Sequence, residues 1–257
     1  MGRILVAAAL LALGAGAFVL VTGVLKDPGR TQRRPDETPE PERDEADARL
    51  AALDSPQGGP AELQAFLDLG GAARRAVLRR LRSRPLPHSL IPRAGDLGLD
   101  PAPVIDIAAD PTVPPPARRS AYRVLARMDG ETVFNQIRLA VLREEDPYVV
   151  LGALEGVELQ ADPAYCGALL QRFRKERGTD LEAALLTALG VARCSDALPA
   201  VRKRLRDETA SFHLLQVGLQ TAMRLDREAG RALGREVLGS RTDLSTAQRA
   251  SISALLE

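Results

Sequence analysis

The chain of 257 residues contains no tryptophan, and aromatic residues make up only 3% of it. Lysine is also scarce, so nearly all of the positive charge is carried by arginine. So few aromatic side chains leave no platform on which successive bases could stack, and a net charge of +1 gives no overall attraction to a polyanion. The composition therefore argues against nucleic acid as the partner.

Residues that carry chemistry are equally few. The only two histidines are His88, in a proline-rich stretch, and His213, at the start of an apolar helix. Neither lies near a paired cysteine or carboxylate motif, and the sequence has no zinc-binding spacing, phosphate-binding glycine loop or nucleophile elbow. We therefore predict no catalytic residues, no cofactor and no bound metal.

A long apolar run lies near the start of the chain. Residues 4–25 contain no charged side chain, and as a helix they would extend about 33 Å, enough to cross a bilayer core of about 30 Å. Ala15-Gly16-Ala17 has the small-x-small form of a cleavage site, but cleavage there would leave an apolar new terminus. We interpret residues 1–26 as an uncleaved single-pass anchor, with a cleaved signal peptide as the alternative.

The charges around the apolar run leave open which side of the membrane carries the rest of the chain. Arg3 precedes the apolar run, whereas Lys26, Arg30, Arg33 and Arg34 follow it, so the positive-inside count places the C-terminal part in the cytoplasm. A single arginine before a long apolar run is also typical of an uncleaved export signal. Between the two, we favour a domain outside the cytoplasm.

Two irregular regions follow the apolar run. Residues 27–47 are rich in Pro, Glu, Asp and Arg, so they cannot offset their ordering entropy by burial, and we predict a disordered tether. Residues 48–100 contain a helical hairpin over about 48–84 and then a proline-rich stretch that interrupts any long helix. We interpret 48–100 as a cap on a more regular part, 101–257.

Residues 101–257 contain a repeated sequence pattern. Paired-helix units restart near Ala102, Glu131, Pro163, Asp196 and Ala229, at intervals of 29, 32, 33 and 33 residues. Residues 185–193 align with 219–227 at an offset of 34, and apolar residues recur at i, i+3, i+4 and i+7, the pattern of a helix with one buried face. A period of about 20 to 50 residues is typical of a solenoid. We therefore predict an all-α fold with about five antiparallel helix pairs.

The residues between the helices indicate the type of repeat more specifically. Asp110-Pro111 and Asp146-Pro147 each precede an Ala-rich helix, where Asp can accept from free N–H groups and Pro is tolerated. Ala188-Leu189-Gly190, followed by Ala197-Leu198-Pro199, completes a pattern by which residues 100–257 resemble the HEAT-repeat family. The resemblance implies a HEAT-like α-solenoid.

The HEAT resemblance also implies a class of function. HEAT-like proteins are mostly scaffolds and adaptors, which here implies a non-catalytic, membrane-tethered scaffold for protein–protein interactions. A few relatives are bilin lyases or DNA glycosylases. A lyase-type enzyme is the alternative, while the lack of tryptophan speaks against a glycosylase, whose pocket relies on aromatic walls.

Two cysteines could join neighbouring units. Cys166 and Cys194 lie 28 residues apart, and adjacent first helices stack at about 8–10 Å, so a disulfide is possible if the chain bends locally. A disulfide would fit an exported domain. Two independent small core residues are the alternative.

Two further sets of residues are candidates for binding. A run of arginines without an acidic neighbour could bind anionic lipid or nucleic acid, although a solvated helix face is the simpler interpretation. Its members are Arg74, Arg75, Arg79, Arg80 and Arg82. Arg123 and Tyr148 are candidate partner contacts, because arginine and aromatic residues often dominate protein interfaces.

Overall fold

The computed structural model describes residues 40–56 and 58–257, and this part of the chain is α-helical without strands. The all-α prediction is therefore confirmed for the described residues. The helices are α1 (Glu40–Leu53), α2 (Pro60–Leu67), α3 (Gly71–Ser83), α4 (Pro101–Ala109), α5 (Pro115–Leu125), α6 (Glu131–Arg143), α7 (Pro147–Gln160), α8 (Cys166–Lys175), α9 (Thr179–Val191), α10 (Leu198–Leu205), α11 (Phe212–Leu225), α12 (Arg227–Ser240) and α13 (Thr246–Leu256). Short 3-10 turns occur at Ile91–Arg93, Pro163–Tyr165 and Ser195–Ala197.

The predicted membrane anchor over residues 1–26 lies outside the described residues. Of the helices from α1 to α13, none combines the length and the apolar character needed to cross a bilayer.

Helix α1 begins earlier than the sequence suggested. Residues 40–47, predicted as the end of the tether, are helical. Ala46 and Leu50 are buried, and α1 packs against α3. Arg49 also pairs with Glu45 one turn earlier, at 2.8 Å. The apolar positions of α1 are too few to show as a stripe in the sequence, and only the position of α3 reveals what they bury.

The Asp/Pro turns act in two different ways. Asp146 caps α7 as expected, because its carboxylate accepts from the backbone N–H of Tyr148 at 2.9 Å. Asp110 does not cap the next helix. It lies at the end of α4 and accepts from the hydroxyl and N–H of Thr112, and α5 begins only at Pro115.

Helix packing follows the chain order. We call α4, α6, α8, α10 and α12 the first helices, and α5, α7, α9, α11 and α13 the second helices. Each second helix packs on the first helix before it and on the next second helix, and α3 packs on α5 in the same way. One apolar cluster runs through these helices, from Ala46 in α1 to Ile252 in α13.

Side-chain hydrogen bonds also join successive helix pairs, and the bonded residues are separated by a nearly constant number of positions in the sequence. The Thr221 hydroxyl donates to Leu186 O, 35 residues earlier, at 2.8 Å. Gln216 Nε2 donates to the hydroxyl of Ser251, again 35 residues away, at 3.0 Å. Since these separations are close to the period of the sequence, equivalent parts of neighbouring pairs face each other.

Candidate functional site

The two residues predicted as partner contacts lie on neighbouring helices. Arg123 is on α5 and Tyr148 is on α7, and these two helices pack side by side. Tyr148 is 45% exposed and Leu159, also on α7, is 47% exposed. Eleven residues make about three helical turns, so both side chains lie along one stripe of α7, with Glu155 between them. We call Arg119, Arg123, Tyr148, Glu155 and Leu159 the α5–α7 surface.

Arg119 organises this surface. Its guanidinium carbon lies 4.4 Å from the centre of the Tyr148 ring, and its Nη2 forms an ion pair with Glu155 Oε1. Partial burial lowers the pKa of Arg119, but the hydrogen bond and the charge of Glu155 outweigh it, so the pKa is raised. The arginine is therefore a permanent cation that holds an aromatic ring and a carboxylate in place.

Arg119 is close to α7 because of a glycine. A Cβ built on Gly152 would lie 2.7 Å from Arg119 Cγ and 3.0 Å from Arg119 O. Any other residue at position 152 would push α5 and α7 apart. The contact between Arg119 and Tyr148 therefore depends on a position that the sequence pattern does not mark.

Glu155 has a second arginine beside it. Arg123 Nε lies 2.9 Å from Glu155 Oε2, which is close enough for an ion pair although the angle is poor for a hydrogen bond. Arg123 Nη1 lies 3.3 Å from His88 Nδ1, in the loop before α4. This contact joins the proline-rich loop to the α5–α7 surface.

A groove of about 450 Å³ lies beside this surface. Its lining residues are His88, Ile91, Pro92, Arg123, Arg127, Glu155, Glu158, Leu159 and Val191. A second recess of about 630 Å³ shares Arg127 and Leu159 with the groove and continues toward Asp129 and Phe134. Exposed apolar and charged groups thus alternate along a surface wider than α7 alone.

Glu158 is a second carboxyl group in the groove. It makes no hydrogen bond or ion pair with any described residue, and burial raises its pKa, with a further rise from the charge of Glu155 and an opposing effect of Arg224. A carboxyl group with a raised pKa in a groove is often functional, although structural ion-pair networks also shift pKa values.

Three of the five arginines predicted to bind anionic lipid or nucleic acid lie beside carboxylates. Arg79 binds Asp47 at 2.7 Å, and Arg80 pairs with Asp54. Arg82 lies 4.0 Å from Asp110. Arg74 and Arg75, also in α3, have no ion pair with a described residue. Sequence reasoning missed this neutralisation because the carboxylates come from α1, the residue after it and the end of α4.

Cys166 and Cys194 form a disulfide, with their Cα atoms 5.3 Å apart. It joins the start of α8 to the residue before the 3-10 turn that leads into α10. The chain bends locally here, because Arg193 has a φ of 54° and the N–H of Cys194 donates to Leu189 O at 3.0 Å. The left-handed conformation of Arg193 turns the chain immediately before Cys194.

No family model, curated protein or solved structure matches this chain. Within the described residues, no group of three or more side chains is arranged to hold a metal ion. The candidate function therefore depends on the geometry of the α5–α7 surface and its groove.

Proposed function

We propose that the protein is a non-catalytic scaffold that binds a protein partner at the α5–α7 surface and is held at a membrane by residues 4–25. The observation that carries the proposal is the Tyr148 ring, which is exposed on one side and backed by Arg119 on the other. Aromatic and arginine side chains contribute most of the binding energy of many interfaces. A ring that is already held in place loses less conformational entropy on binding.

We also propose that the helix pairs form a HEAT-like solenoid. Three features support it: the repeating starts of the first helices, the row of second helices in chain order, and hydrogen bonds between units at separations near 35 residues. In a solenoid, the exposed faces of successive repeats form an extended binding surface. The α5–α7 surface is part of such a face.

The chemistry of the surface indicates the kind of partner. Tyr148 and Leu159 are separated by about 16 Å along α7, with Glu155 and two arginines between them. A partner segment with apolar side chains at both ends and polar groups in the middle fits this order. Stable interfaces bury about 800 Å² on each partner, so the segment would also occupy the groove beside Glu158.

A location outside the cytoplasm is part of the proposal. The disulfide between Cys166 and Cys194 supports it, because disulfides persist in oxidising compartments and are rare in the cytosol. Attachment to anionic lipid through the arginine run of α3 has less support, since Arg79 and Arg80 are already paired with carboxylates.

A lyase-type enzyme is the second candidate, and Glu158 is the observation that favours it. A carboxyl with a raised pKa could transfer a proton to a ligand bound in the groove. The two functions differ in what should accompany the protein in cells: a scaffold should have a protein neighbour that depends on Tyr148, and an enzyme should be surrounded by enzymes of a small-molecule pathway.

The test is proximity labelling from the C terminus of the full chain in intact cells, repeated after lysis. The variant Tyr148→Ala is compared with Leu139→Ala, which removes another exposed apolar side chain, from the first helix α6. We expect a set of labelled proteins that is lost with Tyr148→Ala and kept with Leu139→Ala. Identical neighbours in both variants would contradict the proposed surface, and neighbours that are all small-molecule enzymes would favour the lyase.

The same experiment tests the compartment. An exported domain should label neighbours outside the cytoplasm, and it should be labelled in intact cells by reagents that do not cross membranes. Labelling confined to cytosolic proteins would reject the location without affecting the binding surface.

A further inference from the structure

A separate recess, of about 520 Å³, lies between the first helices α8 and α10 and shares no residue with the α5–α7 surface. Its lining residues are Phe173, Arg174, Arg177, Pro199, Ala200, Lys203, Arg204 and Asp207. The helices α4, α6 and α8 pack on one another in turn, but α8 and α10 do not approach as closely. The recess occupies the space that this wider spacing leaves.

Most of the charge in the recess is positive, and part of it has no partner. Arg204 is held by Glu182, whose side chain is fully buried, and lies 3.5 Å from Asp207. Hydrogen bonds from the N–H and hydroxyl of Thr209 lower the pKa of Asp207, and Arg204 lowers it further, so this carboxylate stays ionised. Arg174 and Lys203, in contrast, make no hydrogen bond or ion pair with any described residue.

The two unpaired cations lie at helix ends, where positive charge is favourable in itself. Cations in the last turn of a helix stabilise it by about 0.3–1 kcal/mol each, which explains why Arg174 and Lys203 lie near the ends of α8 and α10. Neighbouring arginines nonetheless have partners: Arg172 binds Glu176, and Arg206 binds Glu236. What sets Arg174 and Lys203 apart is that both line the same recess without a carboxylate partner among the described residues.

The floor of the recess is apolar. Phe173 is only 3% exposed and belongs to the core, while Pro199 and Ala200 extend the apolar area toward solvent. Apolar surface beneath unpaired cations suits a ligand that has a hydrophobic group and negative charge. A free phosphate ion would fill little of this volume and would leave the floor uncovered.

We propose that the recess binds an acidic peptide segment, with an apolar side chain on the floor and carboxylates beside Arg174 and Lys203. Because the two cations come from different helices, they match two separate carboxylates better than one compact anion. The partner is a protein whose surface or tail carries acidic residues around a leucine-like side chain. This site would add a second contact to whatever binds at α5–α7.

The test uses the full chain in detergent and a short fluorescein-labelled peptide of alternating glutamate and leucine, measured by fluorescence anisotropy. We expect binding that weakens as salt is raised. The double variant Arg174→Glu with Lys203→Glu should weaken it about tenfold, because two attractive pairs become repulsive. The matched control is Arg143→Glu, which reverses a charge at the equivalent end of α6 outside the recess, and it should leave affinity within about twofold.

Four control probes distinguish the possible ligands. A peptide with glutamine for glutamate should not bind, and one with serine for leucine should bind more weakly. Equal binding of the serine peptide, or complete competition by inorganic phosphate, would overturn the proposal in favour of a simple anion site. Phosphatidylserine vesicles that bind through Arg174 and Lys203 without competing with the peptide would overturn it in favour of a lipid surface.

Two further outcomes would overturn the proposal. Failure of the acidic peptide to bind the unmodified chain would overturn the proposal, as would an equal loss of affinity with Arg143→Glu. If charge reversal unfolds the protein, as seen by circular dichroism, Arg174→Gln with Lys203→Gln takes its place. That variant should still lose affinity for the acidic peptide.

Discussion

The Arg119 guanidinium of α5 lies 4.4 Å from the Tyr148 ring of α7 and also pairs with Glu155, two turns further along the same helix. A cation over an aromatic face contributes about 0.5–1 kcal/mol at an exposed site. The contact is too weak to fix the two helices, which are held by their buried faces. Its effect is to orient a side chain that remains open to solvent.

The first prediction concerns the reactivity of the tyrosines. The chain has three, and the other two are buried, with Tyr122 at 1% and Tyr165 at 0% exposure. Burial also raises the pKa of Tyr122 and of Tyr165, so both stay protonated where nitration requires the phenolate. Treatment with tetranitromethane at mildly alkaline pH should therefore modify Tyr148 alone, as read by peptide mass spectrometry. Comparable nitration of Tyr122 in the folded protein would contradict the packing of α5.

The second prediction tests the close approach of α5 and α7. A methyl group on Gly152 would collide with the backbone of Arg119, so Gly152→Ala should lower the free energy of unfolding by about 1–3 kcal/mol. It should also detach Arg119 from Tyr148.

The matched control is Gly167→Ala, in α8, where an added Cβ meets no atom within 4 Å. That change should leave stability unchanged or raise it by up to about 1 kcal/mol, because alanine restricts the unfolded chain. Urea denaturation followed by circular dichroism measures both variants. Equal effects of the two substitutions would show that α5 and α7 are not in close contact at Gly152.

The sequence predicts only part of the α5–α7 surface. The period predicted where helix pairs begin, since Glu131 starts α6 and Pro163 starts the turn before α8. It could not predict that Arg119 would meet Glu155, because a shift of one helical turn between α5 and α7 would pair other residues. The angle and register of two packed helices depend on small residues such as Gly152, whose effect appears only in three dimensions.

The roles of individual arginines were hidden for a related reason. Arg118 Nε donates to Ala108 O at 3.0 Å, and Arg172 Nη1 donates to Glu144 O at 2.8 Å. Both side chains bind carbonyl groups at or just beyond the end of the preceding first helix. Arg241 binds Ala210 O, in the loop between α10 and α11, at 3.1 Å. In a chain whose cations are nearly all arginine, no composition signal separates these structural residues from those that could bind a partner.

The third prediction concerns the disulfide. It closes a loop of 28 residues, for which the chain-entropy model gives a stabilisation of about 3.5 kcal/mol. Cys166→Ala with Cys194→Ala should lower the free energy of unfolding by a similar amount, and dithiothreitol should destabilise the unmodified protein but not the variant. If two thiols of the native protein react freely with an alkylating reagent, the linkage is absent in solution, and its support for an exported domain is lost.

The fourth prediction compares two glutamates of α7. The folded state raises the pKa of Glu158 above its ordinary value of 4.5, chiefly by burial, so the ionised carboxylate is less favourable in the fold than in the unfolded chain. The stability contributed by the neutral group is therefore fully present below pH 4.5 and is lost as the pH rises through the folded pKa. Glu158→Gln should unfold at a higher temperature than the unmodified protein at pH 7 and at the same temperature well below pH 4.5.

Glu155→Gln should have the opposite effect at pH 7. It removes the charge that Arg119 and Arg123 share, and should lower the free energy of unfolding by about 1 kcal/mol, because these pairs are only partly buried. Thermal unfolding over a series of pH values measures both variants. A stabilising Glu158→Gln would mean that the fold keeps an unfavourable carboxylate in the groove, where it is available to a ligand. If Glu158→Gln were instead as destabilising as Glu155→Gln, Glu158 would have a structural partner. It would then not be available to a ligand, whether the protein is a scaffold or a lyase.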